Sequence, residues 1–171
     1  KKKNLRLIDA TNFTHSEILK YTSTNDNILV QSEDKKNFKK NDFKIVSKKK
    51  PSISLFNDLI FAFNICRYVK SNAIVLASNK STLGIGCGQT SRLDSCQIAI
   101  DKMKKFTKPS KDIVAASDAF FPFTDGIEKL VQSGVKAVIQ PAGSIKDKEI
   151  IKFANETGTI LVFSKTRHFR H

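Results

Sequence analysis

The sequence contains no run of about 18 apolar residues, so it predicts no membrane-spanning helix. Its opening, KKKNLRLID, has neither an apolar stretch nor a small-residue cleavage site, so no secretory signal is expected. It also lacks an initiator methionine, so Lys1 is expected not to be a natural start. Cysteine is sparse: Cys66, Cys87 and Cys96 are odd in number, and no Cys-x-x-Cys occurs. This argues against a disulfide framework and a structural zinc site, and fits reduced thiols in a cytoplasmic setting with no metal. Arginine is scarce as well. Of 30 basic residues only five are Arg (Arg6, Arg67, Arg92, Arg167, Arg170), and the rest are Lys. A net charge of +14 suggests an anionic partner, whether nucleic acid, a membrane surface or a phosphorylated small molecule. Proteins that read bases lean on the arginine fork, so the lysine surplus is read mainly as solvated surface. Covalent machinery is missing too: there is no Gly-x-Ser-x-Gly, no His-x-Glu with Pro-Cys-x-x-Cys, and no Cys-His spacing that reads as a nucleophile pair. His15, His168 and His171 are a thin supply for acid–base work.

What is present is enough for one ordinary domain, or one with an appendage: 171 residues, 40% of them hydrophobic. The first fifty residues are lysine-rich, and their short apolar runs NLRLI (4–8) and NILVQ (27–31) read as strands. Between these runs, Thr14 with Glu17 resembles a capping box. SEDKKNFKKND (32–42) reads as an exposed loop and FKIVSKK (43–49) as a strand at a domain edge, stopped by Pro51. From 52 onward the patterns sharpen. Leu55, Leu59, Ala62, Cys66 and Val69 fall at helical spacing, with Phe63 beside them. AIVLA (73–77) and TLGIGCG (82–88) read as a hairpin, and Cys96, Ala99, Met103 and Phe106 mark one face of a helix over 92–106. Strand and helix then alternate: DIVAAS (112–117), TDGIEKLVQSG (124–134), VKAVIQ (135–140), GSIKDKEIIKFANETG (143–158) and TILVFS (159–164). Asp125 with Glu128, and Ser144 with Asp147, look like capping boxes, and Gly134 and Gly158 sit where helices should end. The alternation implies an α/β sandwich whose last three strands are parallel.

Ligands in such folds collect at the carboxyl ends of strands, and three unusual segments lie there: SDAFFPF, QPAGS and SKTRHFRH. Each has a plain reading beside a functional one. SDAFFPFTDG (117–126) is either an aromatic strand end or a ligand wall, with Phe121 and Phe123 read as core packing. GIGCGQTSR (84–92) is glycine-rich before a helix, as a phosphate cradle would be. Its Gly-x-Gly-x-Gly spacing fits neither the dinucleotide fingerprint nor a P-loop, so a tight turn is the plain alternative. Gln89, Ser91 and Arg92 could hold a planar polar ligand. QPAGSIKD (140–147) is an ordinary strand-to-helix loop or a site for a ligand carbonyl or carboxylate. RHFRH (167–171) is a frayed basic end, or an anchored one whose Arg pairs with a phosphate and whose His handles a proton.

KSNAIVLA (70–77), GIGCGQTSR, SDAFFPFTDGIEKLVQSGVKAVIQPAGS (117–144) and the terminal RHFRH together resemble the bifunctional AICAR transformylase / IMP cyclohydrolase family of late purine synthesis. The motifs match in order over 51–171, with weaker similarity back through NLRLI and ILVQ. The resemblance implies a three-layer α/β/α cytidine-deaminase-like sandwich with a mixed sheet and no zinc. Residues 51–171 would be the second such unit of a transformylase domain, and 1–50 the tail of the first with a connecting segment. It implies formyl transfer from 10-formyltetrahydrofolate to AICAR, a ribonucleotide monophosphate, within a cytoplasmic homodimer whose cyclohydrolase domain makes IMP. It places Asn72, Arg92, Phe120 and Arg167 at AICAR, and Leu93, Asp125, Ser144 and Ile145 at the folate. His171 would lie near the site. The family's base and oxyanion donor are an adjacent Lys-His pair, and no Lys-His dipeptide occurs here, so this chain alone is expected to be inactive. Two departures stand out: Cys87 replaces a usual Ala, and Thr124 a common Arg. The competing reading is a basic, non-catalytic binding module for nucleotides or nucleic acid, against which the even spread of lysine weighs. Neither nucleic acid nor membrane is expected as a partner.

Overall fold

The computed structural model describes residues 9, 11, 19–36, 38–106 and 111–170. The capping pair Thr14–Glu17, the NLRLI run and His171 lie outside them. The chain divides into two compact units between residues 36 and 37.

In the first unit, β1 (Leu19–Ser23) pairs antiparallel with β2 (Ile28–Ser32). The turn between them closes with Thr24 N–H to Asn27 O at 2.8 Å, and the Thr24 hydroxyl donates to the same carbonyl at 3.0 Å.

In the second unit, β3 (Phe43–Ile45), β4 (Ile74–Ser78), β5 (Ser81–Gly86), β6 (Ile113–Ser117), β7 (Val135–Pro141) and β8 (Ile160–Ser164) form one sheet in the order β3-β8-β7-β6-β4-β5. β6, β7 and β8 run parallel, as the alternation of elements implied; β3 and β4 run against their neighbours, which makes the sheet mixed. Residues 43–45 thus belong to the second unit's sheet edge. Period-2 alternation splits the apolar strand residues between two cores. Val75, Ala77, Val114, Ala116, Ala137, Ile139 and Val162 pack on α1 (Ile53–Cys66). Ile74, Leu76, Ala115, Val138 and Leu161 pack on α2 (Arg92–Phe106), α3 (Asp125–Gln132) and α4 (Asp147–Glu156). The result is a three-layer α/β/α sandwich whose strands read as continuous apolar runs because both faces are covered.

Local chemistry sets the ends. Ser52 caps α1, its hydroxyl accepting from Leu55 N–H at 3.2 Å. Gly134 (φ +98°) and Gly158 (φ +66°) end α3 and α4 in the left-handed region, as expected of glycine there. Three capping and packing expectations need correction. Thr124, not Asp125, holds the N-cap position of α3; Asp125 lies one residue inside, its carboxylate accepting from Gly126 N–H at 2.7 Å. α4 begins at Asp147 rather than near 143, because Ser144 forms a turn with Lys146 N–H while Asp147 reaches back to the Gly143 and Ser144 amides. Phe106 is 71% exposed rather than buried, with Lys105 over its ring.

The glycine-rich run is the end of the hairpin strand, as TLGIGCG was read, and only its last glycine forms the tight turn. Gly84 and Gly86 lie within β5, buried against the backbone of α2. A Cβ on Gly86 would come within 1.8 Å of Ser95 O, and one on Gly84 within 2.1 Å of Ala99 O. These glycines therefore let helix and strand backbones approach; only Gly88 (φ +67°) serves the turn.

Two predictions follow from this packing. The hairpin turn has Asn79 and Lys80 both at positive φ (50° and 53°), a type I′ geometry that a lysine adopts at a cost. Asp58, 3% exposed on α1, offsets it by accepting both turn amides at 2.9 and 2.8 Å. Asp58→Ala should lower stability by about 2 kcal/mol in urea unfolding, since two charge-assisted bonds are lost. Burial pushes the Cys96 thiol from 9.0 up to about 12, and pushes Cys66 well above its ordinary value too. Between pH 9.0 and about 12 the unfolded chain holds fewer protons at Cys96 than the folded one, so stability should fall as pH rises. The wild type should lose about 1.4 kcal/mol more per pH unit than Cys96→Ala over that window.

Candidate functional site

Sheet topology gathers the site at one end of the second unit. The carboxyl ends of β6, β7 and β8 lie together because those strands are parallel. Since β4 is antiparallel to β6, its beginning lies at that same end, with Asp118 N–H donating to Ala73 O at 3.2 Å. β5 then runs back to the same end, and α2 starts there. Residues 72, 92 and 118, far apart in the chain, are thus brought together.

Arg92 is the centre of the cluster. Its Nη2 donates to Asn72 Oδ1 at 2.8 Å and to Asp118 Oδ1 at 2.9 Å, and its Nη1 donates to Phe120 O at 3.2 Å. The ion pair is almost dry: the Arg92 side chain is 11% exposed and that of Asp118 is 0% exposed. Asp118 Oδ2 and Arg92 Nε have no hydrogen-bond partner among the described residues. Asn72, preceded by a cis peptide bond, is itself held: its Nδ2 donates to the Gln89 and Thr90 carbonyls, each at 3.0 Å, and its carbonyl accepts from Ser95 Oγ at 2.8 Å. The polar face that GIGCGQTSR offers is therefore committed in large part to fixing Asn72 and Arg92.

The terminal segment is anchored rather than frayed. His168 N–H donates to Asp118 O at 2.9 Å, and Arg170 and Ser71 exchange backbone and side-chain bonds. The expectation that a His here handles protons does not suit His168. It is 1% exposed, with its ring packed against Phe63 (4.4 Å) and Phe38 (5.4 Å). Arg167 instead faces outward, its guanidinium 4.8 Å from the centre of the half-buried Phe120 ring. Gly143 (φ +108°) lies beside it, where a Cβ would stand 3.4 Å from the guanidinium. All three loops thus meet at Arg167 and Phe120.

The four residues assigned to AICAR by resemblance form one connected group: Asn72 and the Phe120 carbonyl through Arg92, and Arg167 through the Phe120 ring. The four assigned to folate are more dispersed. Leu93 is half-buried at the start of α2, Asp125 is exposed, Ser144 is half-buried in the loop after β7, and Ile145 is fully exposed (100%). No hydrogen bond joins them among the described residues; Asp125 and Ser144 make local bonds instead. Phe121 is buried (1%), as expected, but Phe123 is 61% exposed and does not belong to the core. A groove of about 560 Å³ is lined by Phe43, Val46, Ile151 and Phe163, with Ala142 of the loop after β7 and Lys44 and Lys165 also in its lining.

Sequence reasoning gave no role to Asp118 or Gln140, both 0% exposed. A signal existed for each: an acid or amide directly ending an apolar strand has no solvent to satisfy it and must bond within the protein.

Residues 1–102 match the family model described as the AICARFT/IMPCHase bienzyme. Curated relatives called bifunctional purine biosynthesis protein PurH include that of Persephonella marina, 45% identical over 172 residues, covering 100% of this chain and 33% of the relative. Those of Aquifex aeolicus and Chlorobium phaeobacteroides are 44% and 43% identical, again covering 100% of this chain and 33% of each relative. The chain thus spans about a third of the length of the curated relatives it matches. A cyanophage dCMP deaminase structure in apo form is similar at 18% identity and a TM-score of 0.45, over 66% of this chain and 98% of that one, a likeness too slight to carry argument. On the family match, the chain belongs to the AICARFT/IMPCHase bienzyme family.

Proposed function

We propose that this chain is the carboxy-terminal part of an AICAR formyltransferase and supplies walls of its two ligand sites. The observation that carries the reading is family membership, resting on the match over residues 1–102. The geometry is compatible with it. An aromatic ring under an exposed guanidinium suits a flat, anionic nucleotide, and Arg167 over Phe120 is such a pair. Asn72 and Arg92, bonded to each other, form a rigid support beside it and are assigned to the base region. Leu93, Asp125, Ser144 and Ile145 are assigned to 10-formyltetrahydrofolate, with Asp125 accepting from pterin N–H groups. No metal is assigned.

The reaction joins the AICAR amine nitrogen to the formyl carbon, releases tetrahydrofolate and takes a proton from the amine. That amine is conjugated and weakly nucleophilic, so it needs a base and a donor for the formyl oxyanion. By resemblance to the family, both tasks are assigned to an adjacent Lys-His pair in the earlier part of the transformylase domain; no such dipeptide occurs in these 171 residues. Residues 51–171, with the edge strand β3, are read as the second unit of the transformylase domain, and the rest of 1–50 as the tail of the first with its connection. The full-length enzyme is read as a cytoplasmic homodimer that also closes the ring to IMP. No observation favours the rival nucleic-acid module.

Two experiments test this. The isolated chain should show no formyl transfer from 10-formyltetrahydrofolate to AICAR above background, and substantial turnover would sink the division of labour. In the full-length enzyme, Phe120→Ala should weaken AICAR binding about tenfold by calorimetry, from the lost stacking and cation–π contact, with little change in melting temperature. Phe121→Ala should instead cost about 3 kcal/mol of stability. Phe123→Ala, at an exposed position, should change neither by much.

A further inference from the structure

Gln140 follows the apolar residues 137–139 of β7 and is wholly buried. Its amide brings two donors and an acceptor into the core. The acceptor has a partner: Phe121 N–H, at 3.4 Å. The donor nitrogen has none among the described residues. Leucine or methionine at this position would avoid burying an unmet donor, so packing does not explain the glutamine.

Its one bond points to what does. Three successive residues of the loop after β6 are each held through the backbone by a different side chain. Ser117 Oγ donates to Ala119 O at 2.6 Å, Arg92 Nη1 donates to Phe120 O at 3.2 Å, and Gln140 Oε1 accepts from Phe121 N–H. The anchors come from the end of β6, the start of α2 and the end of β7. A bond of 3.4 Å contributes little alone; its effect is geometric, as one of three. The Phe121 ring is seated as tightly, since a Cβ on Gly126 would stand 2.6 Å from it. With Phe121 fixed inward and its backbone pinned, Phe120 remains to face Arg167.

We propose that Gln140 is a positioning residue for the nucleotide wall: it holds the loop at 119–121 so that Phe120 stands under Arg167 before ligand arrives. This rests on the formyltransferase reading for its consequence in catalysis, but not for its consequence in the loop.

The test uses the full-length enzyme with Gln140→Leu, which keeps the volume and removes the acceptor, and Gln140→Glu, which keeps an acceptor. Hydrogen exchange at the Phe121 amide should quicken about tenfold in Gln140→Leu and stay near wild type in Gln140→Glu. The KM for AICAR should rise about tenfold in Gln140→Leu with kcat within about twofold, and Gln140→Glu should restore it. Ser117→Ala removes the neighbouring anchor and should raise KM in the same sense, which keeps the test open where Gln140→Leu lowers stability. Unchanged exchange and KM in Gln140→Leu would overturn the proposal, as would equal KM shifts in the Leu and Glu variants. If the wild type fails to use AICAR while Phe121 exchange still responds to Gln140→Leu, the formyltransferase reading falls and the positioning role stands.

Discussion

The end of the sheet that carries the candidate site is organised by one buried ion pair, Arg92 with Asp118 at 2.9 Å. Removing two charges from water is costly, and their attraction offsets that only when the geometry is good and other bonds assist. The geometry is good, and the assistance is one-sided: Arg92 also bonds Asn72 and the Phe120 carbonyl, while Asp118 Oδ2 and Arg92 Nε have no partner among the described residues. Asp118 works through its backbone as well, donating to Ala73 O and accepting from His168 N–H. One residue at the end of β6 thereby joins the start of β4, the start of α2 and the terminal segment. The pair is weak evidence for stability but strong evidence for register, because either charge alone would be left buried and unpaired.

That arrangement depends on how closely α2 lies on β5. Gly84 and Gly86 have no side chains to keep the helix away, so its first turn reaches the site end and delivers Arg92 to Asp118. The glycine-rich run thus shapes the candidate site indirectly, through packing. The same end of the molecule shows two kinds of rigidity. Polar anchors fix Asn72 and the loop backbone, aromatic packing fixes His168, and the bare Gly126 backbone seats Phe121. What faces outward, Phe120 and Arg167, stands on a scaffold whose shape does not have to be formed when a ligand binds.

Much of this was legible in the sequence. Apolar runs marked each strand and α-helix of the second unit, and helix-ending glycines at 134 and 158 were read correctly; the 3-10 turn at Lys40–Asp42 was read as loop. Convergence of three loops followed from the parallel order of the last strands. Phe123 was read as core packing and Phe106 as part of the apolar face of α2, yet of the loop's rings Phe121 is the buried one and Phe123 is exposed, and Phe106 is the last residue of α2 and exposed. Asp125 sits in a cap-like pattern but Thr124 holds the N-cap, and Ser144 and Asp147 do bond each other, in the turn before α4 rather than at its N-cap.

The sequence by itself determined the order of elements, the two-faced burial of the strands and the family, since each depends on local pattern or on motifs in linear order. Only the tertiary structure decided which polar residues are structural and which face outward. It buried Asp118, Gln140 and His168, turned Arg167 onto Phe120, and spent the glycine run on helix packing. Such choices turn on which distant groups share a buried space, and chain spacing does not record that.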